Sequence, residues 1–144
     1  MAQIDFFILN DIAGDRFVCK LAAKAWRQKH RIYIHAASEI QAAAMDDLLW
    51  TFRDISFVPH AQVDDNPRPE TPILIGCGEP PNGFDQILIN LAHPAPEFFP
   101  RFQRVLEVVD GDGRQQARAR YRYYQERGYS PRTHEIQLGD ESSE

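Results

Sequence analysis

The sequence predicts a single three-layer α/β domain over residues 1–138, with a mainly parallel central sheet flanked by helices. Apolar β-rich runs and amphipathic helical stretches follow one another as strand, helix, strand, helix through Phe52, and parallel neighbours require such crossovers. Later runs, such as Pro72-Ile-Leu-Ile-Gly76 and Gln86-Ile-Leu-Ile-Asn-Leu91, read as buried central strands. At 144 residues the chain can bury a core without disulfide or metal staples.

Taken in order, Ile4 to Leu9 is a largely buried first strand, and Asp11 to Asp15 form a polar turn with Gly14. From Arg16 to His30, Phe17, Val18, Leu21, Ala22, Ala25 and Trp26 recur at helical spacing. Arg31 to Ala36 is a short strand. Ser38 with Gln41 is a capping-box signature, opening a helix to about Phe52. Its expected inward stripe is Gln41, Ala44, Met45, Leu48, Leu49 and Phe52. Between Ala61 and Thr71, the proline- and acid-rich stretch Val63 to Glu70 reads as a surface loop. Pro94 to Phe102 starts a short helix with Pro96 near its first turn, and Arg104 to Val109 is another strand. A final helix covers Arg114 to Arg127 and stops at Gly128. His134 to Leu138 is an expected edge strand, and residues 139–144 an acidic tail without fixed structure.

Several function classes recede on composition. There is no basic, apolar leader and no run of about 20 apolar residues, so a cytoplasmic protein is expected. Cys19 and Cys77 have no metal or redox spacing and read as buried small hydrophobes in a reducing compartment. Gly76-Cys-Gly-Glu-Pro-Pro-Asn-Gly83 resembles a phosphate loop only superficially, because strand-like residues follow it rather than a helix. It reads as a strand-to-strand turn in which Asn82-Gly83 supplies positive φ. The five histidines (30, 35, 60, 93 and 134) lack zinc-pair spacing. Asp15 reads as a helix N-cap or a first-turn acid stabilised by the dipole, ahead of a functional acid. No nucleophile constellation is present, so neither catalytic residues, metal nor cofactor are expected.

Two features point to binding. Six arginines between Arg114 and Arg132 face one acid, Glu126, a local +5 in a chain of formal net charge −5, so the remainder carries −10. Arg114, Arg118 and Arg122 fall at i, i+4, i+8 and make one stripe. Ala117, Tyr121 and Tyr124 make the neighbouring, inward face, so Tyr121 borders the arginines. This face offers guanidinium forks beside an aromatic wall for an anion; a solvated helix face is the other reading. Separately, Trp50 lies off the inward stripe and Phe57 precedes a loop. The pair is either an interface hot spot or a closure of the core's end.

Over nearly its whole length the chain resembles the chi subunit family of bacterial DNA polymerase III. The resemblance rests on Phe6-Phe-Ile-Leu-Asn10, Ala25-Trp-Arg27, Leu48-Leu-Trp50, Ser56-Phe-Val-Pro-His60, Ile87 to Leu91, Val108-Val-Asp110 and Ala117-Arg-x-Arg-Tyr-Arg-x-Tyr124. It implies a mononucleotide-binding-like α/β fold without established catalysis, acting as an adaptor in the clamp-loader assembly. Arg114, Arg118 and Arg122, with Tyr121, would bind the acidic, phenylalanine-ending C-terminal tail of single-stranded DNA-binding protein (SSB). Trp50 and Phe57 would face the psi subunit or an equivalent clamp-loader partner, and Arg120 and Arg127 would be bystanders. Where the family often has a longer apolar connection contributing to the tail's hydrophobic pocket, only Gly111-Asp-Gly113 precedes Arg114. The alternative from another class is direct binding of single-stranded nucleic acid by the Arg/Tyr helix, which the acidic remainder opposes. A nucleotide-using enzyme is a third reading, resting on architecture alone.

Overall fold

Every described strand runs parallel to its neighbours, as the alternation of strands and crossovers requires. The computed structural model of the protein describes residues 2–10, 13–51, 59–63 and 71–136. Its strands are β1 (Gln3–Leu9), β2 (Ile32–His35), β3 (His60–Gln62), β4 (Ile73–Gly76), β5 (Ile87–Asn90), β6 (Arg104–Val109) and β7 (Arg132–Ile136). They lie in the order β3-β4-β2-β5-β6-β1-β7. The described helices are α1 (Gly14–Arg27), α2 (Glu39–Thr51) and α3 (Arg114–Glu126).

Alternation along the strands builds two cores. On one face Ile32, Ile34, Ile73, Ile75, Ile87 and Ile89 meet Val18, Ala22 and Ala25 of α1 and Ala42, Met45 and Leu49 of α2. On the other, Ile4, Phe6, Leu88, Val105 and Val109 meet Ala117 and Tyr124 of α3. Phe84, Phe99 and Phe102 complete that face from two crossovers that contain no α-helix. Each fully buried side chain of this size contributes about 1.5–3 kcal/mol relative to exposure. These layers are the expected α/β class.

Several elements differ from expectation in detail. Of the two structural roles open to Asp15 the second holds, because Ala13 is the N-cap of α1. Asp15 is a first-turn acid, favoured there by the helix dipole. The Ser38–Gln41 cap forms: the Gln41 N–H donates to Ser38 Oγ (3.1 Å), and Gln41 Oε1 accepts the Ala37 N–H (2.6 Å). Gln41 is thereby drawn back to the helix start. The buried stripe of α2 becomes Ala42, Met45 and Leu49, leaving Ala44 exposed; Phe52 lies outside the described residues. Around Pro94–Phe102 only a 3-10 turn forms, at Phe99–Arg101, because Pro94, Pro96 and Pro100 deny a longer helix its N–H donors. Gly83 has φ +96°, as its turn requires. Yet β2 lies between β4 and β5, so this segment is a crossover and not a hairpin. Cys77, placed just past β4, is exposed, whereas Cys19 is buried in the core and both are free. Burial, with the nearby Asp15 charge, pushes the Cys19 thiol up to about 12. The edge strand β7 starts two residues before its expected position, and residues 137–144 lie outside the described ones. No described helix is long and apolar enough to cross a membrane.

A buried carboxylate fastens the β7 edge. Asp5 Oδ1 accepts from Arg132 Nε (3.1 Å) and meets His134 Nε2 (2.9 Å), while Oδ2 accepts from Arg104 (3.3 Å) and Gln3 (3.0 Å). Burial pushes this carboxyl up, but the bonds from His134, Gln3 and Arg104 and the Arg132 charge outweigh it and hold it below the ordinary range.

Candidate functional site

Helix α3 (Arg-Gln-Gln-Ala-Arg-Ala-Arg-Tyr-Arg-Tyr-Tyr-Gln-Glu) contains no glycine, proline or β-branched residue, a composition that favours helix. It ends at Gly128, which takes φ +90°, the left-handed C-terminal position that glycine occupies without strain. Arg114 in its first turn opposes the helix dipole, so this charge is held against local helix preference.

The inward stripe is Ala117, Arg120 and Tyr124, which corrects the expected inward face of Ala117, Tyr121 and Tyr124; Arg120, outside the arginine stripe, is buried. Glu107, fully buried in mid-β6, draws it in. Arg120 Nε lies 2.8 Å from Glu107 Oε1, and Oε2 accepts from Tyr124 Oη (2.6 Å) and Asn90 Nδ2 (2.8 Å). Arg120 Nη1 also lies 3.2 Å from His93 Nδ1. Burial pushes the Glu107 carboxyl up, more than the Arg120 charge and its three donors pull it down. Burial and then the Glu107 charge push the Tyr124 hydroxyl up. This network staples α3 to β5 and β6. The spacing of 120 from 117 and 124, with an acid inside an apolar strand, is the signal that could have found it.

The outward side of α3 borders a groove of about 450 Å³. Arg114, Arg118, Tyr121 and Arg122, the four residues singled out from sequence, all line it. Its apolar lining is Phe6 and Ile8 of β1, Val109 of β6 and Ala117, and its far wall is Thr133 and Glu135 of β7. Tyr121 is half-buried, its ring 5.2 Å from that of Phe6 and its hydroxyl donating to the Pro131 carbonyl (3.0 Å). Arg114 donates to Asn10 Oδ1 (3.0 Å). Arg118 and Arg122 are exposed. Phe6, Ile8, Thr133 and Glu135, and Asn10 just past β1, were missed from sequence because they lie on or beside strands distant from α3 in the chain. The groove therefore has apolar lining despite the short 3-10 turn at Gly111–Gly113. It can take carboxylates or phosphates along the arginines and an apolar group below them.

Trp50 is 55% exposed on α2 and Ile40 84%; the Trp50 ring lies 4.5 Å from that of His60. Phe57 lies outside the described residues. Since α2 and α3 cover opposite sheet faces, Trp50 and the arginine groove are on different sides of the domain.

A second cleft, of about 650 Å³, opens between α1, α2 and α3 beside the ends of β5 and β6, a region where α/β folds often take ligands. Asp15 and Asp110 stand on its walls. A Cβ at Gly14 would lie 2.8 Å from Asp110 Oδ2, so the glycine lets that carboxylate approach. Among the described residues no cluster of His, Cys, Asp and Glu could hold a metal ion.

Known proteins resemble this chain in sequence and, separately, in fold. The chain is 39% identical over 141 residues to the DNA polymerase III subunit chi of Pseudomonas aeruginosa, covering 94% of this chain and 98% of that one. It is 32% identical over 143 residues to the Escherichia coli subunit chi (92% and 97% covered) and 32% identical over 124 residues to that of Haemophilus influenzae (83% and 86%). The crystal structure of T4 UvsW shares the fold with a TM-score of 0.67 at 10% identity, over 95% of this chain and 42% of that longer one. Residues 1–132 match the family described as DNA polymerase III chi subunit, HolC, and the chain belongs to that family.

Proposed function

We propose that this chain is a non-catalytic accessory subunit whose α3 groove binds the acidic, phenylalanine-ending C-terminal tail of SSB. One observation carries the reading: Arg114, Arg118, Arg122 and Tyr121 converge over a wall of Phe6, Ile8, Val109 and Ala117. The arginines receive the tail's carboxylates, and the apolar part of the groove receives its aromatic end. Trp50, with Phe57, serves a separate contact with psi or an equivalent clamp-loader partner.

Titration with a labelled synthetic SSB-tail peptide tests this. Arg118→Ala and Arg122→Glu are each expected to weaken binding about tenfold or more, the worth of one charge-assisted hydrogen bond of about 1.5 kcal/mol. Added salt should weaken the wild type too. Unchanged affinity in both variants would refute the assignment. Trp50→Ala is expected to bind the peptide like the wild type; loss of binding there would mean that the two surfaces are not separate. Tight binding of oligo-dT in the absence of SSB would favour direct nucleic-acid binding instead.

A further inference from the structure

The groove's far wall, β7, is also a sheet edge. It closes the strand order beyond β1, and no described residue pairs with its outer side. The Asn10 N–H donates to the Ile136 carbonyl (2.8 Å). With Leu9 opposite Ile136, Phe7 opposite His134 and Asp5 opposite Arg132, these three residues of β7 turn their peptide groups toward β1. Strand alternation then turns the N–H and C=O of Thr133 and Glu135 outward. The same two residues line the groove with their side chains.

Charge and length fit this edge to an extended acidic chain. Helix α3 returns antiparallel to β7: Arg114 reaches Asn10, which donates to Glu135 Oε1 (3.5 Å), while Tyr121 reaches Pro131. The stripe from Arg114 to Arg122 rises about 12 Å, and β7 from Arg132 to Ile136 spans about 13 Å. Arginines and free peptide groups thus run side by side over four or five extended residues. On the sheet's other face Arg132, with a side chain 60% exposed, adds positive charge beside the same edge. Glu135 is the acid among the groove-lining residues, and it sits at the Arg114 end.

We propose that β7 takes the acidic peptide as an added strand, its backbone paired with Thr133 and Glu135 and its acidic side chains turned toward the α3 arginines. This rests on the groove being the peptide site proposed above. The main-chain ladder supplies affinity and the arginines and apolar wall supply selectivity.

The test uses the full chain and the same synthetic peptide. In the wild type, amide exchange at Thr133 and Glu135 should slow at least tenfold on saturation, whereas His134, already bonded to β1, should not change. Peptides N-methylated at single successive positions should lose binding at least tenfold at alternate residues only. Thr133→Pro should weaken binding similarly while keeping the β1 ladder, because proline is tolerated where the N–H faces out from an edge. If the wild type binds with arginine dependence, yet both amides stay unprotected and every N-methylated peptide binds within twofold, strand addition is wrong and the groove reading stands. No binding to the wild type overturns both.

Discussion

Replacing Arg120 with alanine is expected to lower unfolding free energy by about 3–5 kcal/mol, the usual consequence of stripping the partner from a buried charge. Glu107 is fully buried and, among the described residues, keeps the Tyr124 and Asn90 donors once Arg120 is gone. The loss should depend on pH with a defined sign. Burial already raises the Glu107 carboxyl, and removing Arg120 raises it further. The folded variant therefore binds a proton that the unfolded chain, with its carboxyl at about 4.3, releases. Its stability relative to the wild type should recover as pH falls toward that unfolded value, and adding Glu107→Gln should restore part of it at neutral pH. Denaturant unfolding at neutral and mildly acidic pH checks this. A deficit below about 1 kcal/mol, or one indifferent to pH, would show that the pair does not hold α3.

Asp5→Asn should have the next largest effect, about 2–3 kcal/mol, below the full figure for a buried pair because Arg104 and Arg132 are half-exposed and can rehydrate. Here the sign reverses. The folded Asp5 carboxyl lies below its ordinary range, its donors outweighing burial. Its contribution is fully present above the unfolded value of about 3.9 and disappears as pH falls through the folded one. The gap between wild type and variant should close in strong acid; a gap constant to that point contradicts the assignment. Because Asp5 joins β1 to β6 and β7, amide exchange at Arg132 and His134 should accelerate first, and with it the groove wall should loosen.

Much of this was legible before the fold was known. The helix from Arg114, its arginine stripe and the neighbouring Tyr121 follow from spacing alone, since the 3.6-residue period is local. The inward face of α3 was misread for the complementary reason, with Tyr121 taken in place of Arg120. The spacing of Arg120 from Ala117 and Tyr124 was visible, but only Glu107, on another element, explains an arginine pointing inward. Likewise the α2 stripe runs through Ala42, and not Ala44, because packing on the sheet selects that face.

By itself, then, the sequence determined the parallel α/β class, the buried face of α1 and the positive stripe. All three are carried by periodicity and charge within single segments. Tertiary structure alone decided what the stripe looks onto. Pairing β7 beside β1 brings Phe6, Ile8, Thr133 and Glu135 opposite the arginines, and the bond from Arg114 to Asn10 spans 104 residues. Such contacts arise from which strands become neighbours, and nothing local in the chain encodes that order.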